Sequence, residues 1–207
     1  MDRRLRSGPA TPPSAIPTDL PPDGRGPRPP TAPPARGLTL TETAVTLAIL
    51  SIVVAMALPS WRGWIARQEL SLRAQTLSSA LVRARTEAIR RGFRVNLCKS
   101  ADGRTCAEDG DWSAGWILHV DAAALGHPSD GEPPIAHDPP PGAPILVDGN
   151  GPVDDYVSFT PLGEPRKLNG ALQMGTFTVC RTGFDAIHVV LAATGRVRVM
   201  RTKERCG

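Results

Sequence analysis

The stretch RGLTLTETAVTLAILSIVVAMALP, Arg36 to Pro59, decides the fold of this 207-residue chain. After Arg36 and Gly37 come 21 residues, Leu38 to Leu58, in which Glu42 is the one ionisable side chain. At about 1.5 Å per residue, a helix of this length spans about 31 Å, close to the hydrocarbon thickness of a bilayer. A signal peptide or signal anchor explains the basic flank and the apolar run, but not the carboxylate. Because an acid at membrane depth is costly, Glu42 predicts a partner for its charge.

These residues resemble the N-terminal signal of the type IV pilin and pseudopilin superfamily. Gly37 matches the last leader residue, Glu42 the acidic fifth residue of the mature chain, and Pro59 a proline further along the helix. Leu38 stands where the family usually has Phe. The resemblance implies cleavage after Gly37 by a prepilin peptidase and N-methylation of Leu38. It also implies that Glu42 neutralises the amino terminus of a neighbouring subunit in a helical filament, where a dry core tolerates only a paired carboxylate.

The N-terminal 36 residues contain 11 of the 22 prolines and show no helical or strand period. This composition predicts a disordered leader, unless the gene start has been placed too far upstream. The arginines up to Arg36 favour a cytoplasmic N-terminus. We therefore expect a cleaved leader (1–37), a membrane and filament-core helix (38–59) and a periplasmic domain (60–207). The protein would be a single-pass inner-membrane protein before it joins a filament.

Charge is unevenly distributed along the chain. The formal net charge is +4, from 24 basic and 20 acidic residues, and cleavage after Gly37 would leave 18 basic and 17 acidic residues. Eleven of the acids fall between Asp102 and Asp155, whereas four Arg and one Lys fall between Thr194 and Arg205. An acidic middle and a basic tail on a nearly neutral protein indicate separate surfaces for separate partners.

All cysteines follow the membrane-entry signal: Cys98, Cys106, Cys180 and Cys206. This favours two disulfides in an oxidising compartment. Three pairings are possible, and the most local, Cys98–Cys106 with Cys180–Cys206, is preferred; chain entropy gives these about 2.6 and 3.5 kcal/mol. The alternative is a zinc site, but there is no C-x-x-C, and His119 and His188 do not sit at ligand spacing. The sequence predicts no metal and no cofactor.

An apolar stripe at helical spacing resumes after Pro59, at Leu70, Ala74, Leu77, Leu81, Ala84 and Ala88. Five arginines lie largely off it and favour a solvated face over a nucleic-acid face: Arg67, Arg73, Arg83, Arg85 and Arg90. Pro59 should bend the helix rather than end it, and Gly92 is the natural stop. One long helix, about residues 41–91, is the prediction.

Short alternating runs follow and predict an antiparallel sheet under the second half of the helix, at 93–97, 115–121, 145–148, 156–160, 176–181, 186–191 and 196–201. Residues 122–144 predict an exposed, mobile loop. Ala193-Thr194-Gly195 predicts a hairpin between the last two strands. The fold class is therefore α+β, and the resemblance implies a pilin-like fold.

The order of elements also resembles the GspH/FimT branch of the pseudopilins. The stretches that match are RARTEAIRRGFRVNLCKS (83–100), DWSAGWILHVD (111–121), VSFTPLGEPR (157–166), FTVCRTG (177–183) and TGRVRVMR (194–201). Together with the N-terminal signal they cover most of residues 36–206. The acidic, Pro-rich insert fits this branch less well.

Catalysis has little support in the sequence, because no nucleophile, phosphate loop or metalloprotease motif is present. His119 and His188 lie in apolar strands and are interpreted as structural histidines. The acids of 102–155 lack the order of a calcium loop and are interpreted as solvated. A periplasmic enzyme on a signal anchor is the least supported class, and we expect no enzyme.

The C-terminal tail carries a sharper prediction. Strand alternation puts Arg196 and Arg198 on one face, while Val197 and Val199 can pack inward. More basic residues follow and extend the patch: Arg201, Lys203 and Arg205. A rigid basic patch suits phosphate backbones, although an edge strand also carries arginines for solubility.

The G-R-x-R of this tail resembles the DNA-binding motif of FimT-type minor pilins, which help capture DNA during natural transformation. The resemblance implies double-stranded DNA as a partner, and the lack of any base-reading group implies sequence-independent binding. The alternative function is the H-type minor pseudopilin of a type II secretion system, which binds only protein. Both functions share fold, processing and membrane route, so the basic tail is the feature that separates them.

Overall fold

The computed structural model describes residues 37–129, 132–142 and 144–206, apart from the side chains of 57–60. Residues 1–36 of the expected leader (1–37) lie outside the described residues. Contacts divide the chain into two compact units, with the boundary between Ala48 and Ile49. One helix, α1 (Leu40–Arg91), begins in the first unit and continues into the second.

The first unit contains the start of α1, where three threonines interrupt an apolar run. Thr39 lies just ahead of the helix, and its hydroxyl accepts a hydrogen bond from the Glu42 N–H at 3.2 Å, as an N-cap does. Thr43 donates to the Leu40 carbonyl at 2.8 Å, and Thr46 donates to the Thr43 carbonyl at 2.9 Å. Because these hydroxyls are satisfied inside the helix, they remain compatible with an apolar surrounding.

Among the described residues, no single helix is long and apolar enough to cross a membrane by itself. Two helical parts, Leu40–Met56 and Trp61–Arg91, meet the length and composition requirement together across a bend. The bend covers residues 57–60, and α1 continues through it, so Pro59 does not end the helix. This agrees with the predicted effect of Pro59.

The second half of α1 supplies one wall of the core. All six residues of the predicted stripe are buried, and Ala66 extends the stripe by one turn. Each fully buried leucine contributes roughly 1.5–3 kcal/mol to folding. The helix ends as predicted at Gly92, which has a φ of 70° and whose N–H donates to the Ala88 carbonyl at 3.0 Å.

Eight strands follow the helix: β1 Val95–Lys99, β2 Trp116–Val120, β3 Ala136–Asp138, β4 Leu146–Gly149, β5 Tyr156–Phe159, β6 Gly175–Cys180, β7 Asp185–Leu191 and β8 Val197–Arg205. They form two antiparallel sheets, with strand orders β3-β2-β1-β5 (sheet A) and β4-β6-β7-β8 (sheet B). The predicted class, a long helix packed on antiparallel sheet, is confirmed, although the strands are divided between two sheets rather than one.

The core lies between α1 and the two sheets, and one tryptophan is central to it. Trp112 is fully buried and meets Phe177 of sheet B edge to face, with ring centroids 5.1 Å apart. Its indole N–H donates to the carbonyls of Val153 and Asp154, at 3.1 and 2.7 Å. Burial with a satisfied N–H is the arrangement that makes tryptophan stabilising in a core.

The predicted mobile loop 122–144 contains a strand, so that prediction was wrong in part. β3 pairs with β2, and its Asp138 accepts a hydrogen bond from Arg73 of α1 at 2.5 Å. Arg73 is buried, and its guanidinium lies 3.9 Å from the centre of the Trp116 ring. The expectation that Arg73 lies off the buried face is therefore also wrong, because Asp138 and Trp116 provide a partner and a stacking surface for its charge.

β1 is buried on both faces, so the alternation of apolar and polar residues along it does not indicate a face exposed to solvent. Val95 and Leu97 face the core, while Asn96 between them is also fully buried. The Asn96 amide donates to Asp121 at 2.7 Å, and Asp121 also accepts the N–H groups of Leu125 and Gly126. The loop after β2 thus covers the outer face of sheet A.

Several acids of the 102–155 segment hold the fold rather than being merely solvated, which corrects the sequence interpretation. Besides Asp121 and Asp138, Asp155 accepts a hydrogen bond from the buried Lys99 at 3.1 Å. Asp102 accepts hydrogen bonds from the N–H groups of Arg104 and Thr105. These contacts depend on chain reversals that the sequence pattern does not reveal.

Candidate nucleic-acid interface

The basic tail belongs to a hairpin formed by β7 and β8, as predicted. The turn closes with two hydrogen bonds, from the Ala192 N–H to the Arg196 carbonyl at 2.9 Å and from the Gly195 N–H to the Ala192 carbonyl at 2.8 Å. Gly195 has a φ of 77°, and a Cβ there would lie 2.8 Å from the Gly163 carbonyl oxygen. Only glycine meets both conditions without strain.

The hairpin is held to the helix by an arginine. Arg85 of α1 donates to the Gly195 carbonyl at 3.1 Å. This contact joins residues 110 positions apart in sequence, so it fixes the turn relative to the core rather than to its own strands. The glycine and the first arginine of the G-R-x-R motif therefore start from a fixed backbone.

Arg196 and Arg198 are both exposed; Arg198 lies on the outer face of β8, and Arg196 is the residue that precedes the strand. Arg198 is opposite the half-buried Val190, whereas Val197 is opposite the buried Leu191 and packs against the core. The predicted alternation thus holds for these three residues. Val199 is 42% exposed, so the expectation that it packs inward is wrong. β8 is the edge strand of sheet B, and an edge leaves part of its inner face uncovered.

Of the other three predicted basic residues, Lys203 is exposed on β8, while Arg201 and Arg205 do not continue this row. Arg201 is opposite Ile187, on the inner face, and borders a cleft of about 220 Å³ together with Arg67 and Arg205. The pairing register then shifts between Asp185 and Ile187. Arg196 and Arg198 therefore form one basic pair, while Arg201 and Arg205 belong to a second basic region that also includes helix residue Arg67.

Few of these charges are neutralised within the described part of the chain. Arg205 lies 3.8 Å from Asp185, and His188 lies 3.5 Å from Glu204. Such exposed pairs contribute about 0–1 kcal/mol each. No ion pair involves Arg196 or Arg198 among the residues that the structure describes. The outer face of β8 thus presents guanidinium groups that an external anion can reach.

A disulfide fixes the end of β8. Cys180 of β6 is bonded to Cys206, and Cys206 also donates its N–H to the Phe184 carbonyl at 3.1 Å. The second disulfide joins Cys98 and Cys106. These are the two local pairs that the sequence favours over the other pairings. The Cys180–Cys206 disulfide links the end of the basic tail to the end of β6.

The residues expected to act in filament assembly lie in the first unit. Gly37 and Leu38 precede α1, and Glu42 lies in its first turn. All three are exposed. A carboxylate in the first turn is favoured by the positive end of the helix dipole, and in this position it is free to meet a group from another chain.

The two strand histidines occupy different surroundings. His119 is buried, its Nδ1 lies 3.1 Å from the Val120 carbonyl oxygen and its Nε2 lies 3.6 Å from the sulfur of Cys106. Burial lowers the pKa of His119 below its ordinary value of 6.5. His188 is half-buried near Glu204. The proximity of His119 to a disulfide is a feature that sequence spacing missed.

Comparison with known proteins adds to this geometry. The family described as "Type II transport protein GspH" matches residues 73–195, and the "Prokaryotic N-terminal methylation motif" matches residues 33–58. The type IV minor pilin FimU of Pseudomonas aeruginosa is similar in structure, with 21% identity, a TM-score of 0.51, and coverage of 66% of this chain and 95% of that one. The minor pseudopilin EpsH from the Type 2 Secretion System of Vibrio cholerae has 16% identity, a TM-score of 0.43, and coverage of 66% and 99%.

A long N-terminal helix that is packed on antiparallel sheets and begins within a methylation motif defines a pilin-like protein. The family match covers more than half of the chain. The chain therefore belongs to the GspH family and is a minor pilin or pseudopilin.

Proposed function

We propose that this chain is a minor pilin of the GspH/FimT type that binds the backbone of double-stranded DNA through the outer face of β8. The observation that carries the proposal is that Arg196 and Arg198, two residues apart at the start of β8, are both exposed and have no ion-pair partner among the described residues. The arginine fork matches two oxygens of a phosphate. The positions are fixed, since the hairpin turn, Arg85 and the Cys180–Cys206 disulfide hold both ends of β8.

Binding through this pair is independent of DNA sequence. Arg196 and Arg198 offer guanidinium groups that pair with phosphate oxygens, and phosphate contacts carry no sequence information. Such a surface contacts phosphates of either strand and releases condensed counterions. This is the property that capture of arbitrary DNA during natural transformation requires.

The same proposal covers the route to the filament. Residues 1–37 form a leader that a prepilin peptidase removes, and Leu38 becomes the N-methylated first residue. Residues 38–59 anchor the subunit in the inner membrane and later form filament core, while 60–207 lie in the periplasm. Glu42 neutralises the amino terminus of the next subunit. The methylation motif and the satisfied threonine hydroxyls of this segment support this route.

The test is DNA binding by the full chain in detergent micelles, measured by fluorescence anisotropy with a labelled duplex. The two arginines together contribute about −2 to the slope of log affinity against log salt. Arg196→Ala with Arg198→Ala should abolish binding at moderate salt and reduce the remaining slope by about 2. The matched control, Arg83→Ala with Arg90→Ala, removes the same charge from exposed helix positions and should bind as the unchanged chain does. Equal binding by both double variants would overturn the DNA proposal.

A second candidate function is the H-type minor pseudopilin of a type II secretion system. It is favoured by the description of the matching family as a type II transport protein. In that function the basic pair meets protein rather than DNA. Deletion of the gene would then block secretion of exported proteins and leave DNA uptake unchanged, whereas the first function predicts the reverse. Genes for either system beside this one would favour the corresponding function.

A further inference from the structure

The disulfide between Cys98 and Cys106 lies against a buried histidine from another strand. Cys98 belongs to β1 and His119 to β2, and both lie on the outer face of sheet A. The His119 Nε2 is 3.6 Å from the Cys106 sulfur. The two sulfurs and one nitrogen of His119 all lie within 4.8 Å of one another. Three soft or borderline ligand atoms thus converge on one point.

The orientation of the imidazole suits ligation. Its Nδ1 lies 3.1 Å from the Val120 carbonyl oxygen, and a carbonyl can only accept, so Nδ1 carries the hydrogen there. Nε2 is then left with a free lone pair directed at the sulfurs. A ring whose second nitrogen is held by a backbone carbonyl is the usual arrangement of a metal-binding histidine.

We propose that the reduced form of this chain binds one zinc-class divalent ion through the thiolates of Cys98 and Cys106 and the Nε2 of His119. Two cysteines, one histidine and one open position form an accepted tetrahedral set for zinc. Cys106 also borders a cleft of about 550 Å³ whose lining includes His127 and Glu132. Either side chain, or a water molecule, completes the coordination.

Metal binding and the disulfide exclude each other, because the same two sulfurs serve both. A dithiol reductant supplies two electrons and two protons, the S–S bond breaks, and the reductant becomes a disulfide. When the ion binds, both cysteine thiols release their protons to solvent, while the neutral histidine releases none. The bound ion would hold β1, β2 and the 99–106 loop together in a subunit that has not yet been oxidised.

The test uses the full chain in detergent micelles, reduced with a phosphine under anaerobic conditions and titrated with Co²⁺ as the probe. The reduced chain should bind one Co²⁺, with a thiolate charge-transfer band and the intense visible bands of a tetrahedral site, and Zn²⁺ should displace it. The oxidised chain should show neither band. Cys180→Ser with Cys206→Ser should keep the bands, whereas Cys98→Ser with Cys106→Ser should lose them.

The histidine is tested with a matched pair of variants. His119→Gln should weaken Co²⁺ binding by more than about tenfold, since losing a ligand costs more than losing an outer-shell partner. His188→Gln, at the other strand histidine, should bind as the unchanged chain does. Unaltered affinity in His119→Gln, or a reduced and folded chain without cobalt bands, would overturn the proposal. If reduction unfolds the chain, Zn²⁺ must restore the near-ultraviolet circular dichroism of its buried tryptophans, and failure to do so also overturns it.

Discussion

Arg73 of α1 and Asp138 of β3 form an ion pair at 2.5 Å that links the helix to the edge of sheet A. Arg73 is 6% exposed and Asp138 29% exposed, so the cation is the more buried partner. Two further nitrogens of Arg73, Nε and Nη2, are buried without a hydrogen-bond partner among the described residues. Burial lowers the pKa of Arg73, and the charge of Asp138 opposes that change. The ion pair with Asp138 therefore allows the charged side chain of Arg73 to occupy this buried position.

Removing the carboxylate of Asp138 should destabilise the fold more than removing the guanidinium of Arg73. Asp138→Ala leaves a buried guanidinium unpaired and should lower the free energy of unfolding by about 2–3 kcal/mol, less than for a fully buried pair because Asp138 is part-exposed. Arg73→Met keeps a long apolar chain on Trp116 and should cost less than about 1 kcal/mol. Urea denaturation measures both variants. The double variant should be as stable as Arg73→Met alone; a sum of the two single losses would contradict the pairing.

Gly195 should resist substitution because of both its backbone angle and its close contact with Gly163. Gly195→Ala should destabilise the chain by about 1–3 kcal/mol and weaken DNA binding, since Arg196 follows the turn directly. The matched control is Gly170→Ala, which has a similar φ of 84° but no atom within 4 Å of the added Cβ. Thermal denaturation of both variants separates the angle from the contact. If Gly195→Ala and Gly170→Ala lost the same amount of stability, the close contact with Gly163 would contribute nothing to the destabilisation.

Glu42 should be required for filament incorporation and not for membrane insertion. Glu42→Gln keeps the shape and removes the charge, so the amino terminus of the neighbouring subunit would remain unpaired in an apolar core. Immunoblots of sheared filaments and of membranes should show the variant in membranes only. Glu42→Asp, which keeps the charge on a shorter side chain, should retain partial incorporation. Normal levels of Glu42→Gln in filaments would refute the pairing role.

The loop around Asp102 should make folding sensitive to acid. Backbone N–H bonds from Thr105 and Arg104, both 2.8 Å long, and a hydroxyl bond from Thr105 hold the pKa of Asp102 well below its ordinary value of 3.8. A carboxylate with a lowered pKa stabilises the fold above pH 3.8, and this stability is lost as pH falls through the folded-state pKa.

Urea denaturation between pH 6 and pH 2 checks this expectation. Asp102→Asn should be less stable than the unchanged chain near pH 6, and the difference should narrow below about pH 4, because the unfolded chain binds a proton at Asp102 before the folded chain does. Asp109→Asn, at an exposed acid of the same loop, should show the same change of unfolding free energy with pH as the unchanged chain. A constant gap between Asp102→Asn and the unchanged chain at every pH would refute the role of ionisation.

Much of the fold could be predicted from local pattern. The stripe from Leu70 to Ala88, the stop at Gly92 and the hairpin at Gly195 were all predicted, because helix period, glycine capping and turn chemistry act between near neighbours. The exposed face of Arg196 and Arg198 was predictable for the same reason, since strand alternation is a local rule. The exposure of Val199 was not predictable, because burial depends on whether another element covers the residue.

The sequence by itself determined that an apolar N-terminal helix continues into an amphipathic one, that antiparallel strands follow, and that arginines alternate along the last strand. These features depend on residues a few positions apart. Only the tertiary structure decided that Arg73 meets Asp138, that Arg67 borders the same cleft as Arg201, and that His119 lies beside the Cys98–Cys106 disulfide. Each of these contacts needs strand order, register and loop path, which are set by packing of the whole core and leave no periodic trace along the chain.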